Sequence, residues 1–440
     1  MKKVFILIVA AVTFFTLISC SKDKNKELSG KTEIVFWHSF VASTIPALNE
    51  LISKFEAAHP NIKLTAQYIP TGDALIQKLI TAVQSGTAPD ISWLHADYME
   101  DLVDADAIYE MNHFIKGADG ISDEELHKIY PALLQYSSWK GVLYSLPMEA
   151  TDLALIYNKD MFREAGLDPE RPPQTWEELK EYSAKLTLDK NNDGNFERIG
   201  FFIPNYPAAG PLGNWMVWQF LPYIWQAGGY VIAEDQSKVT FNEEPGVKAL
   251  TLWKELYQSQ KLNMFTNDYD IAFASQRLAM AMDGPWNLPR YEEIVKDFDY
   301  GFAFLPSGPE KRATVVGGEY LAIFKQSKNP DAAWKFLKWM ISPEAQAEWS
   351  ILSKYLPIRK DVVEIPKYKK YLEEHPHFKV FFEQMDYAQA QRPIDFGGLQ
   401  IARHIAQALE ESMLGNKDPK KALDEAAVKS NLLLKPKSQR

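Results

Sequence analysis

Five consecutive stretches decide the fold: Glu33-Ile34-Val35-Phe36-Trp37, then Leu48, Leu51, Ile52 and Phe55, then Ile62 to Tyr68, then Leu75, Leu79, Ile80 and Val83, then Pro89 to Leu94. The first is a short run of branched and aromatic residues, which predicts a strand. The second has helical spacing, with Thr44 placed to cap it and Pro46 in its first turn. Ile62 to Tyr68 alternates as a second strand. Asp73 opens a second helix that Gly86 ends, and Asp90-Ile91-Ser92-Trp93-Leu94 enters a third strand. A β-α-β-α-β order predicts parallel strands joined by right-handed crossovers. In such α/β sheets ligands sit beyond the carboxyl ends of the strands. That rule brings His38-Ser39-Phe40, Ile69 to Asp73, and His95-Ala96-Asp97 to one rim, with His38, Asp73 and His95 as candidate polar contacts.

Outward from this unit the α/β habit continues less regularly. Leu153 to Tyr157, Gly200 to Ile203 and Tyr320 to Phe324 read as strands. Thr175 with Glu178 fits a capping box. Asn329-Pro330-Asp331 and Ser342-Pro343-Glu344 start helices, and Ile401 to Met413 and Pro419 to Val428 are helical in pattern. No repeat of 20 to 50 residues marks a solenoid.

The amino terminus is an address. Met1-Lys2-Lys3 is a positive start, Val4 to Ile18 is uncharged, and Ser19 precedes Cys20, the only cysteine of the 440 residues. So short an apolar run after lysines is a signal peptide rather than a span. Either the cysteine is incidental or this is a lipobox in which Cys20 is acylated, and the small residue directly before it favours the lipobox. Two acyl chains anchor stably where one is marginal. Residues 1–19 are then the signal peptide and 20–32 the lipid anchor and a polar, flexible tether. The remaining length suits two or three domains at about 150 residues each. Losing Lys2 and Lys3 takes the formal charge from −10 to about −12. An acidic chain without a basic stripe argues against nucleic acid as a partner.

Several stretches together resemble the extracellular solute-binding proteins of ABC importers, in the large sugar and glycerol-phosphate branch. They are Phe36-Trp37-His38-Ser39, Phe55 to Ile62, Ser85 to Asp90, Leu146-Pro147, Leu155 to Asp160, Gly166 to Pro169, Thr175-Trp176, Gly284-Pro285-Trp286, Val316-Gly317-Gly318 and Ser342-Pro343-Glu344. The resemblance implies the two-lobed periplasmic-binding-protein fold of type II, with ligand held between lobes built from discontinuous sequence. It places the first lobe at 33–145 and 314–352 and the second at 146–313 and 353–440, the last part helical. It further implies a monomer that hands a carbohydrate to membrane permease subunits, with no cofactor. A flexible tether would keep that protein concentrated beside its permease.

The same resemblance nominates side chains. Trp215 and Trp218 share a helix face, and the family presents two tryptophans there to its ligand; Trp286 follows a Gly-Pro turn. An indole offers a flat apolar surface to the C–H face of a pyranose. Glu149 falls where the family crosses between lobes, and carboxylates accept strongly from hydroxyls. Gly318 lets backbone approach a ligand closely, and Glu319 follows it. Arg392 matches an arginine that glycerol-phosphate members use near the phosphate. Asp395, however, stands where those members carry a second basic residue and His95 where they carry an acidic one, which favours an uncharged sugar over glycerol 3-phosphate or a related phosphodiester.

Asp189, Asn191 and Asp193 before Gly194 resemble half a calcium loop, yet the twelfth position is Gly200 rather than glutamate, so the segment reads as a surface turn without metal. A competing class is a secreted glycoside hydrolase using Glu149 and Glu319, which requires two carboxylates about 5–10 Å apart. Against enzymes generally, the chain has no Gly-x-Ser-x-Gly elbow, metal-spaced histidine pair or phosphate loop. A surface adhesin is the third class.

Overall fold

The computed structural model describes residues 30–434 except 71–72, 191–192, 194–195, 211, 261–267, 392–393 and 395–396, and the backbone without the side chains at Asp73 and Asp97. Cys20, Arg392 and the Asp73 side chain therefore lie outside the described residues.

The opening unit forms as its periodicity requires. β1 (Thr32–His38), α1 (Ile45–Ala58), β2 (Ile62–Tyr68), α2 (Asp73–Ser85) and β3 (Ile91–Leu94) follow in order. β1 lies between β2 and β3, parallel to both. Asp90, just ahead of β3, accepts from the Val35 backbone N–H at 2.8 Å and from the Ser327 hydroxyl, so the Pro89-Asp90 turn fixes where β3 meets β1. Leu48, Leu51, Ile52 and Phe55 of α1 are buried as one stripe, each contributing about 1.5–3 kcal/mol. Thr44 does not cap this helix. The chain enters through a 3-10 turn at Ala42–Thr44, and the Thr44 side chain makes no cap hydrogen bond. Thr175 and Ser342 do cap theirs, accepting from the backbone N–H of Glu178 and of Ala345.

Two further strands complete this first sheet: Tyr320–Ile323 runs antiparallel to β3, and Leu146–Pro147 pairs beyond it. A second sheet has the order Tyr300–Ala303, Ala154–Asn158, Leu278–Asp283, Ile199–Phe201. Between them lies a three-stranded ribbon of Ala388–Gln389, Thr314–Gly317 and Thr151–Asp152. The chain thus leaves the first sheet at Leu146–Pro147, crosses at Thr151–Asp152 and enters the second sheet at Ala154. It returns from Tyr300–Ala303 through Thr314–Gly317 to Tyr320–Ile323. The result is two α/β lobes joined by crossing segments. Helices Gly398–Met413 and Pro419–Asn431 pack on each other and on Gly213–Gln226 and Glu244–Ser259 of the second lobe.

One buried glutamine ties the crossings together. Gln384 donates to the Leu153 carbonyl at 2.7 Å and to the Asp152 carboxyl at 3.2 Å, and accepts from the Leu305 N–H at 2.7 Å. No helix among the described residues is long and apolar enough to cross a membrane.

Candidate functional site

The site grows from the ribbon strand Thr314–Gly317. A Cβ on Gly317 would fall 2.7 Å from Trp218 Cζ2, and one on Gly318 would fall 2.2 Å from the Glu149 carbonyl oxygen. Gly318 also sits at φ +154°, a conformation other residues rarely adopt. These glycines make room for the protein's own groups. A side chain is excluded at Gly317 by an indole and at Gly318 by backbone.

Trp218 and Trp215 lie three apart on the helix Gly213–Gln226 and share a face, as their spacing predicts. Their rings stack, with centroids 4.9 Å apart and 16° between planes. Trp286 meets Trp215 edge-on, 5.5 Å away at 66°. All three are half-buried, while Met216, Val217, Phe220 and Leu221 carry the core-facing side of the helix. Two polar groups hold this aromatic surface. Tyr206 hydrogen-bonds Trp215 and Gln219, and burial pushes its phenol up to about 12. Asp283, wholly buried, accepts from the Tyr291 hydroxyl at 2.5 Å, from Asn287 Nδ2 at 2.9 Å and from the Gly284 N–H at 2.8 Å. It thereby fixes the Gly284-Pro285-Trp286 turn. Burial raises its carboxyl to about 6 against the lowering effect of those donors.

On the other side of Gly318 stand two carboxyls. Glu319 is half-buried, and its backbone carbonyl accepts from the Met148 N–H at 2.8 Å. Glu149 has no exposed surface, and its Oε2 accepts from Trp349 Nε1 at 2.5 Å. Burial, then the neighbouring Glu319 charge and hydrogen bond, hold the Glu149 carboxyl well above its ordinary range. The carboxyl that the resemblance aims at a ligand is thus, in this structure, fully buried and braced by an indole. A hydrolase would need two carboxylates about 5–10 Å apart that both reach the substrate, and Glu149 has no exposed surface.

His38 and His95 end β1 and β3 at the same rim, as the topology predicts. His38 is 3% exposed, set between Phe36 and Phe40 with Tyr68 edge-on, and burial lowers its pKa to about 4. Its neutral ring is a wall of the first lobe. His95 is half-buried and stacks on Tyr98 at 5.5 Å. In the segment that resembles half a calcium loop, Asp189 Oδ1 accepts from the Asp193 N–H at 3.2 Å, as in a turn.

Against known proteins, residues 50–380 match the model of the bacterial extracellular solute-binding proteins. The chain belongs to that family. It is similar to the sn-glycerol-3-phosphate-binding periplasmic protein UgpB of Escherichia coli, 27% identical over 92% of this chain and 93% of that one. Among solved structures, the cyclic alpha-maltosyl-1,6-maltose binding protein of Arthrobacter globiformis is 28% identical with a TM-score of 0.78, covering 92% of this chain and 99% of that one. An ABC transporter solute-binding protein of Thermotoga lettingae bound with alpha-D-tagatose is 26% identical with a TM-score of 0.78, over 92% and 100% of the two chains.

Three residues that brace the candidate site escape a reading by sequence. Trp349 sits in a pattern typical of core, Tyr206 in an irregular stretch, and Asp283 at the end of a hydrophobic strand. Only the Asp-Gly-Pro-Trp order at 283–286 hints that an acid organises the turn.

Proposed function

We propose that this chain is the capture subunit of an ABC importer for a carbohydrate, held between the two lobes and delivered to permease subunits in the membrane. The observation that carries the choice of ligand is the cluster of Trp215, Trp218 and Trp286 against the inter-lobe ribbon beside Glu319. Fixed, half-exposed indoles stack on the C–H faces of sugar rings, and a neighbouring carboxylate accepts from hydroxyls. Relatives that bind a cyclic maltosyl saccharide and tagatose support this reading. Trp215, Trp218, Trp286 and Glu319 make the direct contacts, with the Gly318 backbone, His38, His95 and Asp73 at the rim.

The second reading, a glycerol 3-phosphate or phosphodiester ligand, draws on the UgpB likeness and would enlist Arg392. The protein acts by binding without turnover. It is anchored through acylated Cys20 in the cell envelope, in the periplasm or on the outer face of the cytoplasmic membrane, and works as a monomer. Calorimetry against mono- and oligosaccharides, glycerol 3-phosphate and glycerophosphodiesters, followed by product analysis, tests the proposal. Saccharide binding without turnover is expected; binding of the phosphates alone, or any turnover, refutes it. Mass spectrometry of the mature amino terminus tests the anchor: an unmodified Cys20 would remove it.

A further inference from the structure

We propose that Glu149 is a positioning residue for ligand capture: it retains a proton and donates it to Glu319, fixing the Glu319 carboxylate beside the ribbon as an acceptor for a ligand hydroxyl. The geometry allows little else. Glu149 Oε2 is committed to Trp349 Nε1 at 2.5 Å. Its Oε1, and Oε2 of Glu319, are buried oxygens to which no described group of the protein donates. The two carboxyls are nevertheless close enough to act on one another. Two ionised carboxylates in contact, one fully buried, repel strongly, and one proton between them turns that repulsion into a charge-assisted hydrogen bond.

The backbone enforces the approach. Glu319 accepts from the Met148 N–H at 2.8 Å, and a Cβ at Gly318 would stand only 2.2 Å from the Glu149 carbonyl oxygen. Among the described residues, the titratable groups facing Glu149 are Glu319 and Tyr355, whose own phenol is raised by burial and by both carboxylates. Tyr136 and Tyr320 lie beyond, around Glu319. No lysine, arginine or histidine is among the groups acting on Glu149. The more buried acid, Glu149, therefore keeps the proton. Its role in capture rests on the importer reading above; the shared proton does not.

The test has two arms. In the first, thermal unfolding of unliganded wild type, Glu149→Gln and Glu319→Gln is followed from pH 4 to 8. A carboxyl whose folded pKa is raised contributes stability that is complete below its ordinary value and lost as pH rises through the folded one, by up to about tenfold in the folding constant per pH unit. Wild type should lose stability relative to Glu149→Gln as pH rises above about 4.5, and Glu319→Gln should show a shallower loss. In the second arm, saccharide affinity at pH 7 should fall about tenfold or more in Glu149→Ala and be restored by Glu149→Gln, whose amide donates to Glu319 and accepts from Trp349. Parallel pH curves for wild type and both glutamine variants overturn the shared proton. Glu149→Gln binding as poorly as Glu149→Ala overturns the positioning role. Wild type that binds no saccharide sinks the carbohydrate reading and the positioning role that rests on it, while the shared proton is decided by the unfolding arm, which needs no ligand.

Discussion

Replacing Gly318 with alanine places a methyl carbon 2.2 Å from the Glu149 carbonyl oxygen, 3.2 Å from its carbon and 3.4 Å from Ala150 Cα. All three obstacles are backbone, so no side chain can rotate away. Relief requires the crossing segments to separate by more than about 1 Å, since ordinary van der Waals contact begins near 3.4 Å. That movement stretches the Met148 N–H to Glu319 carbonyl bond, now 2.8 Å. The φ of +154° costs a residue with a side chain about 1–3 kcal/mol, and overpacking adds about 1–3 kcal/mol. A total of about 4 kcal/mol should lower the melting temperature by about 5 °C in a chain of this size. The control is Gly86→Ala, also at positive φ (+71°) but with nothing within 4 Å of its Cβ. It should cost only about 1–2 kcal/mol. Gly317→Ala separates stability from function: its Cβ meets the Trp218 ring at 2.7 Å, a side chain that can give way. It should melt close to wild type yet bind saccharide more weakly as the indole is displaced. Scanning calorimetry and titration of the three variants check the reasoning. A Gly318→Ala protein that melts with the Gly86→Ala control would refute it.

Trp215→Ala should weaken saccharide binding by at least about tenfold without unfolding the protein, since about 50 Å² of stacking surface at about 25 cal/mol per Å² is about 1.3 kcal/mol; unchanged affinity in a titration removes it from the site. Asp283→Ala leaves the buried Tyr291 hydroxyl and Asn287 amide without their acceptor and should destabilise by about 2–3 kcal/mol, while loosening Trp286 enough to change its fluorescence; an unshifted emission spectrum counts against its hold on that turn. His38, lowered by burial to about 4, contributes stability that is present above its unfolded value of about 6.5 and lost as pH falls towards 4. His38→Phe removes that proton uptake. The melting temperature of the variant should therefore gain on wild type over that window, and a constant difference would show that His38 does not titrate there.

Local pattern carried much of the fold. The alternating periods of residues 33–94 produced β1 to β3 and their helices in parallel register, and the cap at Thr175 and the helix start at Ser342 lie where the sequence placed them. Local signal failed at Thr44, where a 3-10 turn supplies the helix entry that the threonine side chain was expected to provide. Of the site, the shared face of Trp215 and Trp218 follows from helical spacing, and the rim position of His38 and His95 from strand topology.

By itself, then, the sequence determined the α/β class, the family and the residue types gathered at the site, because periodicity, caps and short motifs act over a few residues. The tertiary structure alone decided what those residues do. Glu149 is buried because Trp349, 200 residues away, closes over it. Gly317 and Gly318 serve the chain's own indole and backbone, because three crossing segments converge there. Burial and charge proximity between residues distant in sequence leave no local pattern, and they separate a carboxyl wholly buried behind an indole from one half-buried beside the ribbon.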